Sequence, residues 1–348
     1  MGNIFSSLIG NDIIKNNIGK DIRAGHNSHA YIIVGDKGSG KHTIAELIAS
    51  AVSCEHRFDS SYPLPCGECL NCRKIKKDIF TDIVRISQGD KASIGVDAIR
   101  TIREGLYVTP NDSDVRTYII EGADKLTPQA QNALLLTLEE PPSFALFLLL
   151  CEDQTKLLET IRSRAQIIRC EVFSSAEVAR FLKRMPGGEE LSRKNPAKFA
   201  AAVSLSGGSL GKAEQLLRGS EEGSTLLKSR ETAAKLISLL SGSKSSPLLK
   251  MLPSLPKSAE DVKSILYLID NGIRDLCSLK RSDECDMFLV FFTSIEEALE
   301  CASDMPYRKL LHIHDCICTA LRRLDGNVPV KTVYTDMVFS CLKHKRLV

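Results

Sequence analysis

Ala30-Tyr31-Ile32-Ile33-Val34 runs directly into Gly35-Asp36-Lys37-Gly38-Ser39-Gly40-Lys41-His42-Thr43 and then into Ile44-Ala45-Glu46-Leu47-Ile48-Ala49-Ser50-Ala51-Val52. The first piece is an unbroken apolar run of strand length, and the last carries apolar residues at helical spacing. Between them stands G-x-x-x-x-G-K in the context it requires, a strand before and a helix after. Its glycines let backbone N–H groups wrap a phosphate, the helix start adds a favourable dipole, and the lysine neutralises charge. Gly35, Gly38, Gly40, Lys41 and Thr43 are therefore the candidate nucleotide-binding residues.

Further apolar runs follow at residues 83–86, 117–120, 144–150 and 166–169, separated by helical patterns. That alternation predicts the buried strands of a parallel α/β sheet. From Ser174 onward only helical spacing remains, as in AEVARFLKRM, NPAKFAAAVSLS and LGKAEQLL. Residues 219–224 and 241–257, rich in Gly, Ser and Pro, look like joints. The expected organisation is an α/β nucleotide-binding-like domain over residues 1–172, a small helical domain over 173–222 and a larger helical domain over 223–348.

The phosphate loop departs from a hydrolytic one. A Ser or Thr hydroxyl should follow the lysine to hold Mg²⁺, but His42 stands there, and imidazole suits a hard cation poorly. Thr43 comes one residue late and would point elsewhere on the helix. Tyr118-Ile119-Ile120 continues into Glu121-Gly122, where P-loop ATPases place a metal-binding Asp and a Glu that activates water. Glu121 could approach a metal, but Gly122 has no side chain to orient water. Nucleotide binding is thus expected to be optional and hydrolysis poor.

Cys66-Gly67-Glu68-Cys69-Leu70-Asn71-Cys72 holds two C-x₂-C steps sharing a cysteine, with Cys54 upstream across a loop. Four thiolates make a closed tetrahedral Zn²⁺ site, structural rather than catalytic; His56 is the alternative to Cys54 as fourth ligand. The adjoining Arg73-Lys74-Ile75-Lys76-Lys77 reads as a solvated helix face, with phosphate contact as its alternative. His312, His314, Cys316 and Cys318 form two i,i+4 pairs on different helix faces and should not converge on one ion.

The 348 residues are 43% hydrophobic and 26% charged, with a net charge of +3, which excludes a disordered chain and does not demand a nucleic-acid or membrane partner. Aromatics are 5% and Trp is absent, so stacking platforms for single strands are not expected. No apolar stretch is long enough to span a membrane and no secretory signal stands at the start, so a cytoplasmic location is expected, where the twelve cysteines would be reduced.

The combination IGNDIIKNNI, NSHAYIIVGDKGSGK, the Cys54/Cys66/Cys69/Cys72 set, IGVDAIRTIRE, YIIEGADKLTPQAQNALLLTLEEPPS, TIRSRAQ and LSGGSLGKAEQLL, over roughly residues 8–217, resembles the bacterial DNA polymerase III clamp-loader subunits of the AAA+ superfamily. The resemblance implies an AAA+ module with a helical lid and, after about residue 225, an all-α oligomerisation collar. In that family the gamma/tau motors hydrolyse ATP, while the delta-prime subunit, with degenerate nucleotide motifs, is a stator presenting an arginine finger. This chain departs from the motor pattern at His42, at Glu121-Gly122, at Cys151-Glu152-Asp153 in place of a sensor Thr, and at Gly211 in place of a lid Arg, with Lys212 beside it. The family's Ser-Arg-Cys stands here as Ser163-Arg164-Ala165. The resemblance therefore implies a delta-prime-like stator that helps load the sliding clamp on primed DNA, with Arg164 as a finger acting in trans. The implied partners are gamma/tau-like and delta-like subunits in a hetero-pentamer, the clamp, and primed DNA through the complex. An ATP-hydrolysing gamma/tau-like motor is the alternative, and a small-molecule P-loop kinase lacks a recognisable acceptor site.

Overall fold

In the computed structural model of the chain, the described residues are 3–89, 92–219, 221–241, 246–251, 255–281, 289–292, 295–303, 305–326 and 328–343. Ser220 and residues 242–245 and 252–254, which fall within the two expected joints, lie outside them. The chain divides into two compact units, residues 1–172 and 173–348.

The first unit is built on strands β1 (Ala30–Val34), β2 (Ile83–Ile86), β3 (Arg116–Glu121), β4 (Ala145–Cys151) and β5 (Gln166–Arg169). They pair in the order β2-β3-β4-β1-β5, every pair parallel. Helices α1 (Asp12–Ala24), α2 (Lys41–Val52), α3 (Leu70–Lys76), α4 (Val96–Gly105), α5 (Pro128–Glu139) and α6 (Glu159–Arg162) connect or flank them. The strands read as continuous apolar runs because both sheet faces are covered. Tyr31 and Ile33 pack with Ile18 and Ile22 of α1 and Ile44 and Ile48 of α2. Ala30 and Ile32 pack with Ile99 of α4, Leu134 and Leu138 of α5, and Ile161 of α6. Each fully buried Ile or Leu contributes about 2 kcal/mol to holding these layers together.

Local chemistry sets the helix ends. Thr127 caps α5, its Oγ1 accepting from the Ala130 N–H at 3.2 Å, and Pro128 occupies the first turn, where no N–H is needed. Pro141 and Pro142 cannot continue that helix, so it stops at Glu139 and turns into β4.

Among the described residues, the regular elements of the second unit are all helices: α7 (Ser175–Arg184), α8 (Gly188–Lys194), α9 (Pro196–Leu205), α10 (Leu210–Arg218), α11 (Glu221–Ser241), α12 (Ser246–Met251), α13 (Ala259–Leu279), α14 (Ile295–Ser303), α15 (Tyr307–Asp325) and α16 (Val330–Lys343). Ser174 and Glu177 form a capping box that starts α7 right after the sheet ends. Its core is one cluster running from Phe173 to Cys341. Gly272 lets α13 approach α11 closely, since a Cβ there would meet Ile237 Cδ1 at 2.5 Å. The buried Asp275 carboxylate accepts backbone N–H groups of Val290, Phe291 and Phe292 at 3.0, 2.7 and 3.2 Å.

Candidate functional site

Parallel strands put their C-terminal ends on one edge of the sheet, and that edge gathers the phosphate loop after β1, Glu121 at the end of β3 and Glu152 after β4. The loop takes backbone shapes that favour glycine, with φ of 81° at Gly38 and 92° at Gly40. Gly35 is closely packed too, because a Cβ there would meet Ser39 Oγ at 2.3 Å. Lys41 is buried, and its Nζ donates to the Asp36 carbonyl at 3.0 Å, with Glu152 Oε1 at 4.0 Å. The ammonium thus rests within the loop it would use to grip a phosphate.

His42 turns to β3, its Nδ1 3.6 Å from Glu121 Oε1. Gly122 has a φ of 74°, which a side chain at that place would adopt only with strain. Thr43, one residue and about 100° further round α2, lines a cleft of 630 Å³ between α2 and the cysteine insertion, together with Glu46, Pro65, Cys72 and Lys76. The structure thus places Thr43 on the flank facing that insertion, away from the Glu121 side. Cys151, at the sensor place, is buried, and burial pushes its thiol up to about 12.

The four cysteines come together. The Sγ atoms of Cys54, Cys66, Cys69 and Cys72 all lie within 4.8 Å of one another, and all four residues are buried. Zn–S bonds of about 2.3 Å in a tetrahedron require S···S edges of about 3.8 Å, and Cys66 Sγ lies 3.8 Å from Cys72 Sγ. Backbone N–H groups of Glu68 and Cys69 donate to Cys66 Sγ at 3.5 and 3.3 Å, and that of Cys72 to Cys69 Sγ at 3.4 Å, as thiolates need. Hydrogen bonding from Cys72 pulls the Cys54 thiol well below its ordinary range. The set fits a structural Zn²⁺, held by those four sulfurs with no place open for substrate. His56 stacks on Tyr62 with ring centroids 4.1 Å apart. The insertion is tied down by the Phe5 N–H donating to the Leu64 carbonyl at 2.7 Å and by Asn71 Nδ2 donating to the Ser53 carbonyl at 2.9 Å. In the basic run, Lys74 pairs with Asp112 while Arg73, Lys76 and Lys77 are exposed.

Arg164 lies just after α6, two residues ahead of β5. It is therefore at the N-terminal edge of the sheet, opposite the phosphate loop. Tyr31 is level with Gln166 and Val34 with Arg169, so about 17 Å of strand separates Arg164 from its own loop. Its guanidinium is partly exposed and donates to the Thr160 carbonyl and to Glu139 Oε1, both at 3.0 Å. Sequence reasoning missed two residues here. Glu139 holds Arg164 across the turn, and Gln131 ties α5 to the segment leading into α6. Gln131 Nε2 donates to the Leu126 and Lys156 carbonyls at 3.2 and 3.1 Å, and its Oε1 accepts from the Leu158 N–H at 2.8 Å. The signal was a polar residue on the apolar face that Leu134 and Leu138 define.

On α15 the His/Cys pairs diverge. His312 Nε2 lies 3.6 Å from Cys316 Sγ and His314 Nε2 3.6 Å from Cys318 Sγ, while His314 Nδ1 is 2.6 Å from Asp270 Oδ1. Among the described residues, only the four cysteines of the insertion bring three or more candidate ligand atoms together, and no helix is long and apolar enough to cross a membrane.

A family model described as DNA polymerase III, delta subunit, matches residues 10–174. The chain is 36% identical over 181 residues to the DNA polymerase III subunit gamma of Buchnera aphidicola, covering 52% of this chain and 48% of that one. It is 31% identical over 204 residues to the subunit tau of Bacillus subtilis, covering 59% and 35%. The chain spans about half or less of the length of these relatives. A DNA polymerase III gamma subunit-related protein of Thermotoga maritima, a solved structure, aligns over 94% of this chain and all of that one at 19% identity and a TM-score of 0.46.

Proposed function

We propose that this chain, a member of the gamma/tau-like AAA+ family of clamp-loader subunits, serves in such a loader as the delta-prime-like stator. It would present Arg164 to ATP bound on a neighbouring subunit. Residues 173–222 would act as the lid and 223–348 as the collar that joins the other subunits. Zn²⁺ on Cys54, Cys66, Cys69 and Cys72 would hold the insertion in shape.

The carrying observation is the separation of the two chemistries across the sheet. The loop's edge lacks both the hydroxyl that holds Mg²⁺ and the carboxylate that orients water, at His42 and Gly122. The opposite edge keeps an arginine that cannot reach its own loop. A guanidinium in that position serves phosphoryl transfer only by acting on another subunit's nucleotide, where its planar fork can stabilise charge on a γ-phosphate. The neighbour's hydrolysis then depends on assembly.

The test is to mix the purified chain with gamma/tau-like and delta-like subunits. The expected result is a hetero-oligomer containing this chain, stable on native mass measurement, together with no phosphate release by this chain alone. Hydrolysis by the isolated chain at a motor's rate, abolished by Lys41→Ala, would assign it to the motors instead.

A further inference from the structure

A phosphate loop that uses Mg²⁺ needs two oxygens facing each other at its mouth, a hydroxyl after the lysine and a carboxylate at the end of the neighbouring strand. In this chain a nitrogen heterocycle stands at the first place, and it has engaged the second, with His42 Nδ1 3.6 Å from Glu121 Oε1. The hydroxyl one residue further on, Thr43, lines the cleft on the other flank of α2. Gly122 offers nothing to replace what is lost. His42 and Glu121 therefore face each other where the cation would be held, while the parts that grip phosphate persist: the glycine turn, the start of a twelve-residue helix without a side-chain cap, and Lys41.

We propose that this loop binds a nucleoside di- or triphosphate without a divalent cation, with His42 as the specificity-determining residue in place of the metal. The inference rests on reading Gly35–Lys41 as a nucleotide-binding loop and deepens that reading. Phosphate charge is met by the loop's N–H groups, by Lys41 released from Asp36 and Glu152, and by an N–H of the imidazole. The His42 side chain is 58% exposed and so accessible to a ligand. The charged groups around the imidazole are Glu121 from β3, Lys41 beside it, and Glu46 one turn along α2, which Arg85 engages at 3.3 Å. With no cation organised and no residue to orient water, a bound nucleotide stays intact, as suits a subunit that stands still while its neighbours turn over.

The experiment is equilibrium binding of a fluorescent ATP analogue to the full chain, in excess EDTA and in excess Mg²⁺. The wild-type affinity should agree between the two conditions within about twofold. His42→Thr, which returns the hydroxyl and frees Glu121, should bind at least about tenfold more weakly in EDTA than in Mg²⁺, a difference of about 1.4 kcal/mol. Lys41→Ala should lose binding in both. Zinc content and thermal unfolding of each variant confirm that it is folded. Wild-type binding that requires Mg²⁺, binding that survives Lys41→Ala, or a His42→Thr variant indifferent to the cation would each overturn the proposal. Absence of wild-type binding in both conditions would overturn it too, but would leave the stator reading standing, since that reading needs no nucleotide in this chain and is judged by Arg164 in the assembled loader.

Discussion

Replacing Cys69 and Cys72 together by Ser should strip the metal and loosen one identifiable part of the first unit. A structural zinc supplies about 10 to 16 kcal/mol of apparent binding free energy, which is also folding free energy for the segment it closes. Here that segment is anchored to the rest of the unit by Leu64 bridging to Ile4, Phe5 donating to Leu64 and Asn71 reaching Ser53, and at its exposed side by Arg23 donating to the Arg57, Asp59 and Tyr62 carbonyls and by the Arg57–Asp114 and Lys74–Asp112 pairs. If it opens, the fully buried Leu64 and Phe5 are exposed, at about 2 to 3 kcal/mol each. The sheet, buried between two layers that do not depend on the metal, should persist. A loss of about 5 kcal/mol at about 2 to 4 °C per kcal/mol for a unit of this size lowers its Tm by about 10 to 20 °C. The assay combines metal analysis with hydrogen exchange read by mass spectrometry. One zinc per wild-type chain is expected, and in the double variant fast exchange confined to residues 3–8 and 54–79, with β1, β3 and β4 still protected. Wild-type protein purified without chelator and devoid of zinc, or a double variant that keeps its zinc and its exchange pattern, would refute the reasoning.

Gln131→Leu leaves the Leu158 N–H and two carbonyls without their partner, so it should cost about 2 to 3 kcal/mol and also displace Arg164. Melting curves should show the first effect. For the second, Arg164→Ala should add little to the loss of loader activity when made in the Gln131→Leu background. Arg164→Ala by itself should barely alter Tm, because a half-exposed ion pair such as Arg164–Glu139 contributes about 0 to 1 kcal/mol. Gly122→Glu should fail to create a working ATPase even when combined with His42→Thr, since a φ of 74° strains any side chain placed there; phosphate-release kinetics decide this. Cys151, buried and with its thiol pushed up to about 12 by that burial, is protonated near neutral pH, so iodoacetamide at pH about 8 should leave it unmodified in the native chain and modify it in denaturant.

The strands were legible because they are buried on both faces and so read as unbroken apolar runs. The AYIIV and FALFLLL segments fall on β1 and β4 to within one residue. Legible too was the gathering of the cysteines, since C-x₂-C spacing fixes where thiolates can meet in a short loop. What the sequence could not reveal were contacts between residues far apart along it. His42 meets Glu121, Arg164 is gripped by Glu139, and Asp275 folds the 290–292 segment onto α13. None of these follows from periodicity, because the first two depend on how the strands are ordered in the sheet and the third on which loop folds back onto a helix. Gln131 was quoted within a motif without its role being visible, because its partners are backbone groups, which carry no sequence signature.

The account turns on Arg164 acting across a subunit boundary, and the most direct measurement is clamp loading by a reconstituted complex carrying Arg164→Ala. Assembly, zinc content and Tm should match the wild type, while clamp- and DNA-stimulated ATP hydrolysis falls. At the one site this subunit faces, the loss should approach the factor of about 10³ to 10⁵ that such arginines supply, and Arg164→Lys should restore little, because an ammonium lacks the guanidinium's fork. Bulk hydrolysis falls less, since the other sites continue, so the rate of clamp loading is the sensitive readout. An Arg164→Ala complex that loads clamps at the wild-type rate would contradict the account and leave Arg164 a surface partner of Glu139.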